Sequence, residues 1–163
     1  MTTSTWTVGS DHGAALAAPT CSTCALEERR RFAPGDLDRP AVTAPEIAAD
    51  LLAPLLAARD REHCVVLLLD TKHRLLDTVT VSVGSIDHTF MAPREVFRDA
   101  LLANASAIVL AHNHPSGDPE PSRDDERITT RLVRAGEVVG IDVLDHLVVA
   151  GGRWVSLARR GLL

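Results

Sequence analysis

The sequence predicts an α/β protein of the α+β type, in which helices flank a mixed β-sheet. Two patterns support this fold class: short apolar runs bounded by charged or turn residues are typical of strands, and apolar residues recurring at helical spacing are typical of helices. The two kinds of segment are interspersed along the chain. The 163 residues suffice for one core, and with only 3% aromatic residues that core must be packed with aliphatic side chains.

The chain divides near residue 44. Residues 1–44 are rich in Thr, Ser, Ala, Gly and Pro and lack sustained periodicity, so they predict an irregular or disordered arm, either a tail or a partner-binding segment. Residues 45–163 are predicted to form the folded domain. This domain opens with a short amphipathic helix from Pro45, for which Thr43 is the predicted N-cap.

A hairpin and a second helix are predicted next. Residues 64–69 are continuously apolar, which favours a strand buried on both faces, and a polar turn connects them to a second strand over 75–83. Pro93 stands where a first helical residue is favoured. The apolar residues that follow at helical spacing predict a helix ending near Asn104.

The C-terminal half is predicted to contain three more strands and a third helix. A strand over 107–111 leads through a loop rich in Pro and Gly to a helix that begins at Ser122 and stops near Gly136. Two final strands, over 141–149 and 153–157, are joined through a Gly-Gly pair. There is no internal repeat.

The segment HNHPSGDPEPSRDD, which follows the strand over 107–111, carries the strongest chemical signal. In extended backbone the side chains of His112 and His114 project to the same face, where two imidazoles can share one metal ion. The loop then returns the chain so that Asp125, in the first turn of the next helix, offers a carboxylate to the same ion. Two imidazoles and one carboxylate leave a fourth position for water, as in a catalytic zinc site.

Each part of this segment also has a purely structural interpretation. Ser122 followed three residues later by Asp125 is a capping-box arrangement, which by itself only begins a helix. A His-x-His pair on a strand is more often packed or solvated than bound to metal. The metal hypothesis depends on the conjunction of the two.

The whole pattern, HxHP followed by a loop and SxxD, resembles the JAMM signature of metallopeptidases with an MPN fold. Three stretches of the sequence are similar to the RadC family: HNHPSGDPEPSRDD, the preceding APREVFRDALLANASAIVLA and the closing VLDHLVVAGGRWVSLARRGLL. This resemblance extends from about residue 45 to the last residue. It implies a JAB1/MPN-like mixed sheet flanked by helices, with a cytidine-deaminase-like architecture.

The resemblance also implies roles for individual residues. His112, His114 and Asp125 would bind one Zn²⁺ per chain, and Ser122 would help to stabilise the oxyanion formed during amide hydrolysis. The glutamate at the head of the first long strand, which is Glu62 in REHCVVLLLD, would act as general acid/base on the attacking water. A carboxylate near the attacking water can carry the proton that must move from water to the leaving amine. Taken alone, however, a glutamate before a strand is more often a solvated charge.

Several other residues have competing interpretations. Glu95 is explained by the favourable placement of an acid in a first helical turn and is the alternative general base. Asp145 and His146 either support the site from a neighbouring strand or form a hydrogen-bonded pair at a strand end. Cys21 and Cys24 form a CxxC without a second pair, which predicts free thiols.

Composition limits the partners and the compartment. The formal net charge of −5 gives no general attraction to nucleic acid. An odd number of cysteines argues against a secreted disulfide framework, and neither a membrane-spanning run nor a signal-peptide pattern occurs. We therefore expect a cytoplasmic protein without membrane contact. An oligomer is compatible with the sequence.

The leading functional hypothesis is a zinc-dependent peptidase or isopeptidase. The alternative is a DNA-associated protein of the RadC type, for which residues 29–31, three arginines, are the first patch to test. The helix-hairpin-helix region of many RadC-like proteins has no counterpart in residues 1–44, and Ala92 stands where the family often has His. A zinc deaminase would need HxE and PCxxC, which do not occur, and a catalytically silent scaffold is disfavoured by the presence of Glu62 and Ser122.

Overall fold

A computed structural model describes residues 38–85 and 91–163. All the helices and strands predicted above are present, with small differences at their ends. In chain order they are helix α1 (Pro45–Leu56), strands β1 (His63–Leu69) and β2 (Leu75–Val83), helix α2 (Pro93–Leu102), strand β3 (Ala107–Asn113), helix α3 (Arg123–Val139), and strands β4 (Asp142–Ala150) and β5 (Arg153–Ser156).

The five strands form one mixed sheet with the order β2-β1-β3-β4-β5. Strand β1 pairs antiparallel with β2 and with β3, whereas β3 and β4 are parallel and β4 and β5 are antiparallel. The parallel pair requires a crossover connection, which α3 supplies. The predicted fold class, the first hairpin and the final strand pair are thereby confirmed.

The sheet separates two apolar clusters. Because side chains alternate along a strand, the continuous apolar run of β1 contributes to both faces. Val65, Leu67 and Leu69 pack towards α1, and Cys64, Val66 and Leu68 pack towards α2 and α3. This burial on both faces explains why the strand lacks an alternation of polar and apolar residues. Helices α2 and α3 lie on the same face of the sheet.

The predicted ends of two helices are wrong. The N-cap of α1 is Ala44, not Thr43, and no side chain caps it. The residue before a proline is held in the extended region, so the helix begins directly at Pro45. Helix α3 continues past Gly136 to Val139 and ends at Gly140, which has a left-handed backbone with φ of 74°.

The described end of the predicted arm lies against the domain. Ala41 bridges to Arg74, and Val42 is buried. The rest of the predicted arm, with Cys21 and Cys24, lies outside the described residues. None of the helices in the described ranges combines the length and apolar character that crossing a bilayer requires.

Candidate metal centre

Strand β3 and the start of α3 bring the predicted metal ligands together. His112 is the penultimate residue of β3, and His114 follows the strand by one residue. The backbone N–H of His114 donates to the carbonyl of Val149 at 2.9 Å, which extends the pairing with β4 beyond the end of β3. Both imidazoles therefore lie on the α3 side of the sheet, where Asp125 occupies the first turn of the helix.

The three side chains converge on one point. The Nε2 atoms of His112 and His114 are 3.0 Å apart, and they lie 3.2 Å and 3.6 Å from the two carboxylate oxygens of Asp125. Ligands about 2.0–2.1 Å from a tetrahedral ion are separated from each other by about 3.3 Å, so the spacing fits zinc. Among residues 38–85 and 91–163, these three residues form a group of His and Asp side chains close enough together to hold one metal ion.

Asp125 combines the structural and the chemical interpretation of its motif. Its Oδ2 accepts hydrogen bonds from the backbone N–H of Ser122 at 2.7 Å and from the Ser122 hydroxyl at 2.6 Å. The Ser122 hydroxyl in turn accepts from the backbone N–H of Asp125, which completes a capping box. The cap fixes the carboxylate plane, and Oδ1 is directed towards His112.

The loop after β3 orients the second imidazole. Nδ1 of His114 lies 2.9 Å from the carbonyl oxygen of Asp118, which can only accept, so this nitrogen carries the proton and Nε2 is left for a metal. Gly117 has φ of 83°, and its carbonyl accepts from Arg153 at 3.1 Å. A side chain at Gly151 would press against that same carbonyl. The β4–β5 turn thereby holds the loop.

A buried histidine from β4 supports the first imidazole. His146 Nε2 lies 2.9 Å from His112 Nδ1, and His146 Nδ1 lies 2.6 Å from the hydroxyl of Thr129. His146 faces the site because of a β-bulge, in which Leu144 is an extra residue between two pairs of the β3–β4 ladder. The extra residue reverses the alternation of the residues after it.

The electrostatics of the group keep the Asp125 carboxyl ionised. Burial opposes ionisation of Asp125, but hydrogen bonds with His112 and His114 outweigh it and hold the pKa of this carboxyl far below its usual range. The Asp125 hydrogen bond raises the pKa of His114, and the charge of Glu62 adds to this effect. Burial, followed by the charge of His112, lowers the pKa of His146 to about 3, so this imidazole is neutral.

Glu62 directly precedes β1 and is held at the edge of the site. Its side chain is buried, and its backbone N–H and carbonyl bond to Ser85 and Gly84. On the other side, the Asn113 side chain accepts from the N–H of His63 at 2.8 Å and donates to the carbonyl of Arg61 at 3.0 Å. The backbone on both sides of Glu62 is therefore clamped.

The remaining sequence candidates lie in other surroundings. Asp145 binds the C-terminal turn, because its carboxylate accepts from the Ser156 hydroxyl at 2.6 Å and from the Ala158 N–H at 3.0 Å. Of Asp145 and His146, it is His146 whose side chain contacts a predicted ligand, namely His112. Glu95 is about half exposed beside Arg94, in the first turn of α2, as expected for a solvated helix acid.

Three residues at the site were missed by the sequence analysis. Thr129 lies one turn after Asp125 on the same face of α3, a spacing that could have indicated contact. Asp118 contributes a backbone carbonyl, which no side-chain pattern reveals. Asn113 is a buried polar residue at the end of β3, and that burial could not be read from the sequence alone.

The chain is similar to known proteins over most of its length. Residues 42–162 match the family model of the RadC-like JAB domain. Relatives named UPF0758 protein include one from Moorella thermoacetica, 48% identical over 139 residues, and one from Methanosarcina mazei, 40% identical over 122 residues. The alignments cover 85% and 75% of this chain, but the chain spans only 61% and 53% of those relatives. The chain therefore belongs to the family of RadC-like JAB domains.

Proposed function

We propose that this chain is a zinc-dependent hydrolase that cleaves amide bonds, as a metallopeptidase or isopeptidase. The observation that carries the proposal is the convergence of His112, His114 and Asp125 at tetrahedral spacing. When bound, zinc supplies a water of lowered pKa and polarises the scissile carbonyl. Family membership supports a hydrolase of the JAB type.

The roles of the other two predicted residues follow from their surroundings. Glu62 would take a proton from the attacking water and give it to the leaving amine as the C–N bond breaks. Its buried position and fixed backbone suit a group that must act in one geometry. The Ser122 proton is directed at Asp125, so the hydroxyl must rotate before it can donate to a developing oxyanion.

The metal site is tested first by metal analysis of the purified protein. We expect the wild-type chain to retain one zinc and the variants His114→Ala and Asp125→Ala to lose it, because each removes one of the three ligands. Zinc retained by both variants at the wild-type level would remove the site and the proposed function with it.

The reaction is tested by screening quenched fluorescent peptides and Lys-linked isopeptides for cleavage that a chelator abolishes and zinc restores. Glu62→Gln should retain zinc but lower turnover by about 10²- to 10⁴-fold, because it removes the proton carrier. Glu95→Gln is the matched control, since it changes an exposed helix carboxylate, and it should leave turnover unchanged. Cleavage that is equally fast in Glu62→Gln would contradict the proposed role.

The DNA-associated alternative is tested on the same preparations. Duplex and branched DNA replace the peptides, and binding is followed as salt is increased. Tight, salt-sensitive DNA binding together with zinc-dependent DNA cleavage would indicate that the substrate is nucleic acid and not a peptide.

A further inference from the structure

The residues behind the metal centre form a continuous hydrogen-bonded path from one ligand to another. It starts at His112 Nδ1, passes through the imidazole of His146 and the hydroxyl of Thr129, and ends at the backbone carbonyl of Asp125. The separations along it are 2.9, 2.6 and 2.6 Å. Both intermediate side chains are completely buried. The path joins β3, β4 and α3.

The end of the path fixes the position of every proton along it. The Asp125 carbonyl can only accept, so the single proton of the Thr129 hydroxyl is directed there. Thr129 must then accept from His146, which places the proton of His146 on Nδ1. His146 Nε2 in turn accepts from His112 Nδ1–H, and His112 Nε2 is left with a free lone pair on the side of the metal site.

The reverse arrangement would disable the site. If the Thr129 hydroxyl donated to His146, then His146 would donate through Nε2 and His112 would carry its proton on Nε2. A nitrogen that bears a proton cannot bind a metal ion. The short contact between the Thr129 hydroxyl oxygen and the Asp125 carbonyl oxygen favours the first arrangement, because without a proton between them two oxygen lone pairs would face each other at 2.6 Å.

We propose that Thr129 and His146 are positioning residues that hold His112 in its metal-binding tautomer and couple it to the helix turn that carries Asp125. This inference rests on the proposed zinc site and deepens it, since neither residue is itself a ligand. A buried polar path through the apolar side of a sheet is costly unless every group is paired. Here every member has a partner.

Zinc affinity of the chain, measured by competition with a chromogenic chelator, tests the proposal. Thr129→Val keeps the shape of the side chain but removes the hydroxyl, and we expect about 10- to 100-fold weaker zinc binding. Thr129→Ser keeps the hydroxyl and should stay close to wild type. Thr130→Val is the matched control, because the exposed Thr130 hydroxyl makes the same kind of contact with Glu126 four residues earlier.

The second variant, His146→Leu, cuts the path at its centre. We expect a similar loss of zinc affinity, and in this background Thr129→Val should cause little further loss, because the path is already broken. Thermal unfolding of the metal-free forms identifies any variant that fails to fold. If His146→Leu does not fold, the comparison of valine and serine at position 129 decides the question.

The outcomes separate this inference from the proposed function. A wild-type chain that binds no zinc would remove both. A wild-type chain that binds zinc, with Thr129→Val binding it equally well, would remove only the positioning role and leave a network that serves stability alone. Equal losses in Thr129→Val and Thr130→Val would also overturn the inference, since the exposed hydroxyl has no link to His146.

Discussion

At the residue scale, His114 and Asp125 stabilise each other's charged forms before any metal arrives. The carboxylate raises the pKa of His114 above its ordinary value of 6.5, and the histidines lower the pKa of Asp125 below its ordinary value of 3.8. The contribution of His114 to stability is present below 6.5 and is lost as pH rises through its raised pKa. The contribution of Asp125 is present above 3.8 and is lost in acid.

Zinc binding should therefore stabilise the domain more as pH rises. A proton on His114 competes with the zinc ion for Nε2, so zinc affinity rises as His114 loses its proton. Over the same pH range, the metal-free form loses the ion pair between His114 and Asp125. We expect the difference in Tm between zinc-saturated and chelator-treated protein to grow from about pH 6 to about pH 8. Scanning fluorimetry measures this difference. In Asp125→Asn the difference should vanish at every pH, and a difference that shrinks with rising pH would contradict the prediction.

Asn113 links the metal site to the predicted general base. Replacing it with Ala removes both hydrogen bonds that clamp the backbone beside Glu62, and a misplacement of about 1 Å is expected to slow turnover by about 10²-fold. The loss of two buried contacts should also cost about 1–3 kcal/mol of stability. Zinc affinity should change little, because the Asn113 side chain bonds to the backbone of His63 and Arg61 and not to the three proposed ligands.

The Asn113 prediction is checked by measuring turnover and zinc affinity on the same preparations. In a Glu62→Gln background, Asn113→Ala should produce almost no further loss of turnover, since its effect acts through Glu62. Equal losses in both backgrounds would mean that Asn113 acts through general stability instead.

The sequence predicted that three side chains converge, but it did not predict which residues support them. His112, His114 and Asp125 were identified because their spacing reflects local geometry, namely strand alternation and the first turn of a helix. Thr129 and His146 act through contacts between α3 and β4, which depend on the packing of two elements. The two interpretations of Asp125, cap and proposed ligand, are compatible, because Oδ2 accepts from the backbone N–H of Ser122 while Oδ1 faces His112.

At the element scale, the close approach of α3 to the sheet depends on Gly136. A Cβ at this position would overlap the carbonyl oxygen of Ile141 and press on the ring of Phe97. Gly136 lies inside the helix, whereas the sequence predicted that the helix would end near this residue. A glycine in mid-helix is tolerated here because the gain in packing outweighs its conformational cost.

Gly136→Ala should destabilise the metal-free domain by about 1–3 kcal/mol, because the helix must move away from the start of β4. Urea unfolding measures this as a lower midpoint with an unchanged slope. Glu137→Ala is the control on the neighbouring exposed position, and it should lie within about 0.5 kcal/mol of wild type. A Gly136→Ala domain as stable as the control would show that the contact is not limiting.

The predicted elements were largely correct because apolar runs, Pro93 and the capping pair around Ser122 are strong local signals. The β-bulge at Leu144 had no such signal. It depends on how β4 pairs with β3, and ordinary alternation from Val143 would have turned Asp145 to the α3 face. The sequence alone therefore left open which of Asp145 and His146 approaches the candidate metal centre.

At the scale of the whole domain, the candidate metal centre lies on one face of a sheet that is covered on both. Helix α1 packs on the opposite face and contributes none of the proposed ligands. The strands between the two faces supply side chains to both clusters, so neither cluster can lose its packing without disturbing the other. We therefore expect the described domain to unfold as one cooperative unit.

Substitution of one buried leucine on each face tests this cooperativity. Leu52→Ala on α1 and Leu132→Ala on α3 should each cost about 2–5 kcal/mol, because both side chains are fully buried. Saturating zinc should nevertheless raise the unfolding free energy of Leu52→Ala by the same increment as in wild type, because ligand binding stabilises whatever unit contains its site. Denaturant unfolding followed by circular dichroism, with and without zinc, measures both increments. If the α1 face unfolded separately, Leu52→Ala would show a first transition that zinc does not shift, and the single-unit description would be wrong.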